Sequence, residues 1–344
     1  MKKRNLPTLE DVANAAEVST ATVSRCMNEP EKVTEKTRDR VMAAVVALNY
    51  APNFGARAIA ANRTGIFGVV IPTMENAIFA RGVEAFQKVL IEKNATMLVA
   101  SSDYDPEQEA KQIRTLVARG ADGLMLIGFQ RDPGIYRFLS EREIPVVSAW
   151  ASSRDKSQSY VGFDNRTASM ELVGRALSLG HTSIAYVSAP TSLNDRARER
   201  VTGAKVAIEN AGLDPASLRV VETDYSIQNG KNAILEILQR DRETRPTLVI
   251  CGNDVLGVGV IQAVKEFGLS VPDDISVLGF DDIELATVVS PKLTTVHVPH
   301  QEMGRIAAEI LYSLVTESSE PRQFELETHI VERESLSTPP ARKI

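Results

Sequence analysis

The sequence predicts an all-α helix-turn-helix head followed by an α/β body built on parallel sheets. Three observations carry this. Residues 8–28 read as two short helices joined by a tight turn. Residues 52–64, PNFGARAIAANRT, form a small, alanine-rich linker. From Ile66 onward, short apolar runs rich in β-branched residues alternate with helical stretches, enough for two parallel sheets covered on both faces.

The first head helix has Thr8 as N-cap and Asp11 near its positive end, with Val12, Ala13 and Ala16 at helical apolar spacing. Glu17-Val18 makes the turn. Ser19 caps a second helix, Thr20–Met27, on which Val23 and Met27 face inward. Thr20, Ala21, Ser24, Arg25 and Asn28 remain on the outward face. That is how a recognition helix enters a DNA major groove, and Arg25 can address a guanine edge by two hydrogen bonds, worth roughly 1–3 kcal/mol of discrimination. A third helix runs from Thr34 as N-cap through Val41, Val45 and Leu48 to Asn49-Tyr50. The plainer alternative for any one helix is an amphipathic bundle whose polar face meets water; the ordered set favours the DNA reader.

Composition bounds the function. The chain has 344 residues, 43% hydrophobic and 24% charged, so two or three domains with sizeable cores are expected. Net charge is −6, with a slight cationic excess in the head and an acidic body. Cys26 and Cys251 lie far apart in differently built regions, which fits a reducing cytoplasm without a disulfide framework. The start, MKKRNLPTLEDV, lacks the apolar core of a signal peptide, and no apolar run is long enough to span a bilayer. No phosphate-binding loop, zinc spacing or nucleophile elbow occurs, so no catalytic residue, metal or cofactor is expected.

In the body, strands are expected at Phe67–Ile71, Met97–Ala100, Gly123–Ile127, Val146–Ala149, Ile184–Ser188, Leu248–Cys251, Ser276–Gly279 and Thr294–Val298. Helices are expected near Phe79–Glu92, Pro106–Arg119, Arg166–Leu179, Arg198–Asn210, Gly230–Arg240, Val255–Phe267 and Gln301–Val315. Ligands bind at the carboxyl edge of parallel sheets, so strand-end residues are the candidate binding set. These are Asn76, Phe79, Asp103, Tyr104, Trp150, Arg196, Arg200 (taken to start a helix), Tyr225, Asn253 and Asp281, with Asn194 in the same loop as Arg196. Phe79, Trp150 and Tyr225 offer flat apolar faces, and Arg and Asp can hold adjacent hydroxyls in two-pronged fashion. Against this, Phe79 and Trp150 alone read as core and Asp281 as a local cap. His297 reads as a residue where the chain crosses rather than a ligand contact.

The ordered series TLEDVA, VSTATVSR, Val33-Thr34, NYAPN, ARAIA, GVVIP, GADGLMLIG, GFDN, LGH, CGND, VPDDISVLGFDD and PKLTTVHVP resembles the lactose-repressor (LacI/GalR) family of bacterial transcription regulators over residues 8–335. The resemblance implies a two-lobed periplasmic-binding-protein-like body. It places the DNA-binding domain at 1–51, a hinge at 52–64, the effector and dimerisation domain at 65–335, and a tail at 336–344. Lobe 1 would be 66–162 with 292–325, and lobe 2 163–291 with 326–335. Thr8, Ser19, Thr22, Asn28, Thr34, Thr37 and Tyr50 look like phosphate or positioning contacts, and Thr20, Ala21 and Arg25 like base readers. Asn53 and Arg57 look like hinge contacts to the backbone or groove. Ile59 matches an apolar wedge that kinks the minor groove when the hinge folds on DNA. Arg200, Asn253, Asp281 and Tyr225 match effector positions. Glu17 departs from the family pattern, where Gly or Asn suits a left-handed turn, at a cost of about 1 kcal/mol.

The function so implied is a ligand-responsive repressor of a sugar or related catabolic operon. It would bind double-stranded palindromic operator DNA as a homodimer, with no membrane partner. Its effector would be a sugar, a sugar acid or phosphate, or a nucleoside, and Arg196 beside Arg200 points to an anion. The competing classes are a sugar-binding receptor without a DNA role and a sugar-modifying enzyme.

Overall fold

Capping chemistry sets the head. In the computed structural model, which describes residues 6–51, 63–75, 77–241, 243–317 and 319–341, α1 spans Leu9–Ala15, α2 Thr20–Asn28 and α3 Glu35–Ala47. The hinge candidates Asn53, Arg57 and Ile59, the cleft candidate Asn76 and the side chain of Asn28 lie outside the described residues. Thr8 Oγ1 accepts from the Asp11 amide (3.2 Å) while the Asp11 carboxylate accepts from the Thr8 amide (2.7 Å), a reciprocal box at the start of α1. That exchange, led by the bond from the Thr8 amide, holds the Asp11 carboxyl below its ordinary pKa. Helix α1 ends in a Schellman pattern. The Val18 amide bonds the Ala13 carbonyl (3.0 Å) and the Glu17 amide the Asn14 carbonyl (3.2 Å), with Glu17 at φ 52°. The same pattern closes α3 with Asn49 at φ 49°, a residue better suited to it. One cap differs from expectation. Thr34 takes the N-cap backbone but makes no side-chain cap; its hydroxyl donates instead to Thr37 Oγ1 at 3.0 Å. Val12, Ala13, Ala16, Val23, Cys26, Val41, Ala44 and Tyr50 form the head's own core.

The chain divides into two compact units, residues 1–64 and 65–344. In the second, a six-stranded sheet has the order β11-β5-β4-β3-β1-β2, and all its pairs are parallel. Its strands are β1 Ile66–Ile71, β2 Thr96–Ser101, β3 Ala121–Ile127, β4 Val146–Ala149, β5 Ser159–Gly162 and the late β11 Gln323–Glu325. A four-stranded parallel sheet has the order β7-β6-β8-β9, from β6 Ile184–Ser188, β7 Arg219–Glu222, β8 Leu248–Cys251 and β9 Ser276–Leu278. Strands β10 Thr295–His297 and β12 His329–Val331 pair antiparallel. The chain therefore passes between the two sheets more than once before β11 closes the edge of the first.

Helices cover both sheets: α4 Ala77–Glu92, α5 Pro106–Ala118, α6 Pro133–Ser140, α7 Asn165–Ser178, α8 Asp195–Asn210, α9 Ile227–Leu238, α10 Asp254–Glu266, α11 Leu285–Val288 and α12 His300–Glu317. Burial explains why the strands read as continuous apolar runs: β1, β6 and β8 are buried at every position. Six of these strands and helices go beyond the expected list: β5, β7, β11, β12, α6 and α11. They are short, and β7 and β11 lie at sheet edges where solvent interrupts the apolar pattern. Helix α8 starts at Asp195, capped by Asn194, so Arg200 sits in its second turn and not at its start. The expected tail is also docked at its beginning: the Ser337 amide donates to Ser276 Oγ (3.1 Å) and its carbonyl bonds His181 Nε2 (2.8 Å).

Candidate functional site

In the head, α2 buries Val23 and Cys26, which turns Thr20, Ala21 and Arg25 to solvent. Thr8, Ser19 and Thr34 are exposed, Thr22, Ser24 and Thr37 half-buried. Ser19 Oγ accepts from the Thr22 amide and lies 2.9 Å from Thr22 Oγ1, so these hydroxyls are oriented by the helix start itself. Tyr50 differs: it is only 9% exposed and belongs to the head core. On the exposed face of α2, Arg25 carries the long hydrogen-bonding side chain, and Thr20 and Ala21 present methyl groups.

In the body, the carboxyl ends of strands from both sheets converge. Ile78, Phe79, Tyr104, Trp150, Asn194, Arg196, Arg200, Tyr225 and Asp281 line one cavity of about 20 Å³, closed down around its own side chains. All of these but Ile78 are sequence candidates. Asp103 lines an adjoining chamber of about 280 Å³ together with Tyr104 and Tyr225. Asn253 is absent from this lining; its Oδ1 caps α10 through the Leu256 amide (2.9 Å), and its buried Nδ2 has no partner among the described residues. His297 also stands apart, 2.8 Å from an Asp282 oxygen and with its ring centre 4.8 Å from that of His329.

Arg200 organises the floor. It is 5% exposed and donates from Nε to Asn165 Oδ1 (2.8 Å), from Nη1 to the Gly252 carbonyl (2.6 Å) and from Nη2 to Asp281 Oδ1 (3.3 Å). Its guanidinium lies 3.7 Å from the Phe280 ring centre. Arg196 is bound to Asp195 Oδ1 at 2.9 Å. Asp195 in turn accepts from the amides of Phe129 (2.6 Å) and Gln130 (3.2 Å), which follow β3, so this carboxylate joins the two sheets' loops. Burial works to raise the Asp195 pKa, but Arg196 and the three amides outweigh it and hold it below the ordinary value. The two arginines, from whose pairing an anionic ligand is expected, are thus each paired with a carboxylate.

The aromatic wall is fixed from behind. Trp150 Nε1 donates to His300 Nδ1 (3.0 Å), which leaves the other ring nitrogen to donate to the Asp281 carbonyl (3.0 Å). Burial lowers the His300 pKa and keeps the ring neutral, as this relay requires. Phe79 meets Trp150 edge to face at 5.2 Å. Tyr104 and Tyr225 lie 5.7 Å apart, and burial raises both phenol pKa values, so they act as neutral hydroxyls.

Four candidates share a backbone property that no pattern announced. Asp103 (φ 53°), Tyr104 (57°), Trp150 (63°) and Asp281 (99°) are non-glycine residues in left-handed conformations. Such positions cost about 1–3 kcal/mol each and gather where side chains must be aimed. Missed from the sequence were Asp195, Asn165 and His300. Asp195 and Asn165 are hidden by their helix-start positions, and only the fold brings His300 to Trp150.

Comparison with known proteins fits this anatomy. The profile of bacterial regulatory proteins of the lacI family matches residues 8–53, and that of a periplasmic binding protein-like domain matches residues 173–336. The chain is 32% identical over 339 residues to the HTH-type transcriptional repressor PurR of Klebsiella pneumoniae (strain 342), covering 97% of this chain and 98% of that one. The lac repressor dimer bound to operator and the anti-inducer ONPF superposes with TM-score 0.83 at 26% identity, over 96% of this chain and 99% of the other. The transcriptional regulator CelR in complex with cellobiose gives TM-score 0.70 at 28% identity, over 96% and 99%. The chain belongs to the lacI family of bacterial regulatory proteins: it is a DNA-binding transcriptional repressor with an effector-binding body, and not an enzyme.

Proposed function

We propose that this repressor acts in the cytoplasm as a homodimer on a two-fold symmetric operator controlling a sugar or related catabolic operon. Its grip is switched by a small molecule held between two lobes, residues 66–162 with 292–325 and 163–291 with 326–335. Thr20, Ala21 and Arg25 read bases; Thr8, Ser19, Thr22, Thr34 and Thr37 meet phosphates. Phe79, Tyr104, Trp150, Arg196, Arg200, Tyr225 and Asp281 hold the effector. The observation that carries this reading is the convergence of these seven side chains, from loops of both sheets, on one cavity. A ligand there contacts both lobes and so binds a closed body better than an open one, which is what a switch requires. The solved complex of the regulator CelR with cellobiose supports a sugar.

Fluorescence anisotropy with labelled duplexes selected from random DNA tests the reading. Palindromic sites should be bound by two chains per duplex, and an effector should move the affinity by tenfold or more. Arg200→Gln should keep DNA binding and lose that response. Binding by single chains, or a response that survives Arg200→Gln, refutes it.

A further inference from the structure

We propose that the effector is an uncharged, hydroxyl-rich ring, a neutral sugar, and that Asp195 is the residue that excludes its acid and phosphate counterparts. This rests on the reading of the cleft as the effector site. The cavity's two cations bring no net positive charge. Arg200 is matched by Asp281 within the same wall, and its other polar partners, Asn165 and the Gly252 carbonyl, complete its hydrogen bonding on that side. Arg196 is matched by Asp195. Asp195 cannot turn aside for an incoming anion, because one oxygen is held by the Phe129 and Gln130 amides while the other takes the Arg196 guanidinium. An anion entering here would be desolvated beside the Asp281 carboxylate and would face two guanidiniums already paired, Arg200 with Asp281 and Arg196 with Asp195 behind it.

The approaches repeat the pattern. The adjoining chamber of about 280 Å³ has Asp103, Asp105 and Asp224 among its lining residues and no Lys or Arg. Between those carboxylates lie the flat faces of Tyr104, Pro106, Pro190 and Tyr225, a surface suited to the C–H face of a sugar ring. A larger cavity of about 540 Å³ on the other side shares Arg196 with the central one. Its arginines are answered by Asp164, Asp195, Glu199 and Glu325, with Arg166 and Glu199 already paired at 2.8 Å. Inside, the neutral phenols of Tyr104 and Tyr225, the Asn194 amide and Asp281 supply the mixed donors and acceptors that hydroxyl groups need.

Isothermal titration of the full chain with matched sets tests this: glucose, gluconate and glucose 6-phosphate; galactose and galacturonate; cellobiose and cellobionate; the free purine bases; and inorganic phosphate. The neutral sugar of any set that binds should be at least tenfold tighter than its anionic counterparts, and phosphate alone should give no saturable heat in the millimolar range. Asp195→Asn keeps an oxygen for the Phe129 and Gln130 amides but frees the Arg196 charge. It should gain phosphate binding and narrow the neutral-to-anion gap tenfold, and adding Arg196→Gln should abolish the gain. An acid or phosphate binding more tightly than its neutral sugar, a purine base binding where no sugar does, or millimolar phosphate binding by the wild type overturns the proposal. If Asp195→Asn fails to fold, the wild-type titrations decide alone. Operator anisotropy separates this from the broader reading. An anion that binds best and switches DNA binding defeats only the charge inference, and a neutral sugar that binds without switching defeats only the effector role.

Discussion

Replacing Arg200 by methionine should destabilise the body by about 3–5 kcal/mol, the usual cost of removing one partner of a buried ion pair. The structure sets the sign and scale. Asp281 is 1% exposed and loses its guanidinium, while Asn165 Oδ1 and the Gly252 carbonyl each lose a donor. For a body of this length the midpoint should fall by roughly 5–15 °C. The assay is thermal unfolding of the full chain followed by tryptophan emission, because the chain's single tryptophan, Trp150, lies in the body and reports that transition separately from the head. Adding Asp281→Leu to Arg200→Met should recover most of the loss, since it removes the stranded charge. A single variant melting within about 2 °C of wild type would show that water or a rearranged side chain satisfies Asp281, and the account of a closed, dry floor would be wrong.

Arg25→Ala should leave the melting profile unchanged and cost about 1–3 kcal/mol of discrimination on selected operator while barely affecting random DNA, measured by competition anisotropy. Glu17→Gly should stabilise the head by up to about 1 kcal/mol, read by urea unfolding, because Glu17 holds a left-handed backbone at φ 52°. Asp254 is buried without a cation, and burial raises its pKa well above 3.8 despite bonds from Thr295 and the Ile283 amide. A carboxyl with a raised folded pKa stabilises fully below the unfolded value and loses that contribution as pH rises toward the folded one. Asp254→Asn should therefore flatten the decline in stability above pH 3.8, as followed by urea midpoints across pH. Asp195 and Asp282, whose pKa values are lowered, act in the opposite window: their contribution is present above 3.8 and lost as pH falls below it.

The legible parts of the fold were those where burial writes a regular pattern. Strands β1, β6 and β8 are buried on both faces, so their apolar runs stand out, and Thr8 and Ser19 carry their caps in the residue type itself. Strands β5 and β11 were not, since three or four residues carry no period to read, and β11 is in addition exposed at a sheet edge. In the cleft, position after a strand was enough to pick out Phe79, Tyr104 and Asp281, whereas Arg200, in the second turn of α8, was marked by the family resemblance. Charge pairing was only half readable: Asp195 is the chain neighbour of Arg196, but only the fold brings Asp281 to Arg200. The left-handed backbone at Trp150 and Asp281 was equally silent, because nothing in either residue type announces it.

The late arrival of β11 sets a schedule for the chain during its synthesis. The head's core is complete once Tyr50 has emerged, but the six-stranded sheet waits for Gln323–Glu325 and the four-stranded one for Ser335 and Ser337. At about 5–20 residues per second, a nascent chain carries a finished head and an unfinished body for roughly 15–60 s. A message truncated before the codon for Gln323 would make that interval permanent. Its product would keep a DNA reader while leaving β5 as an open edge, inviting pairing with another chain.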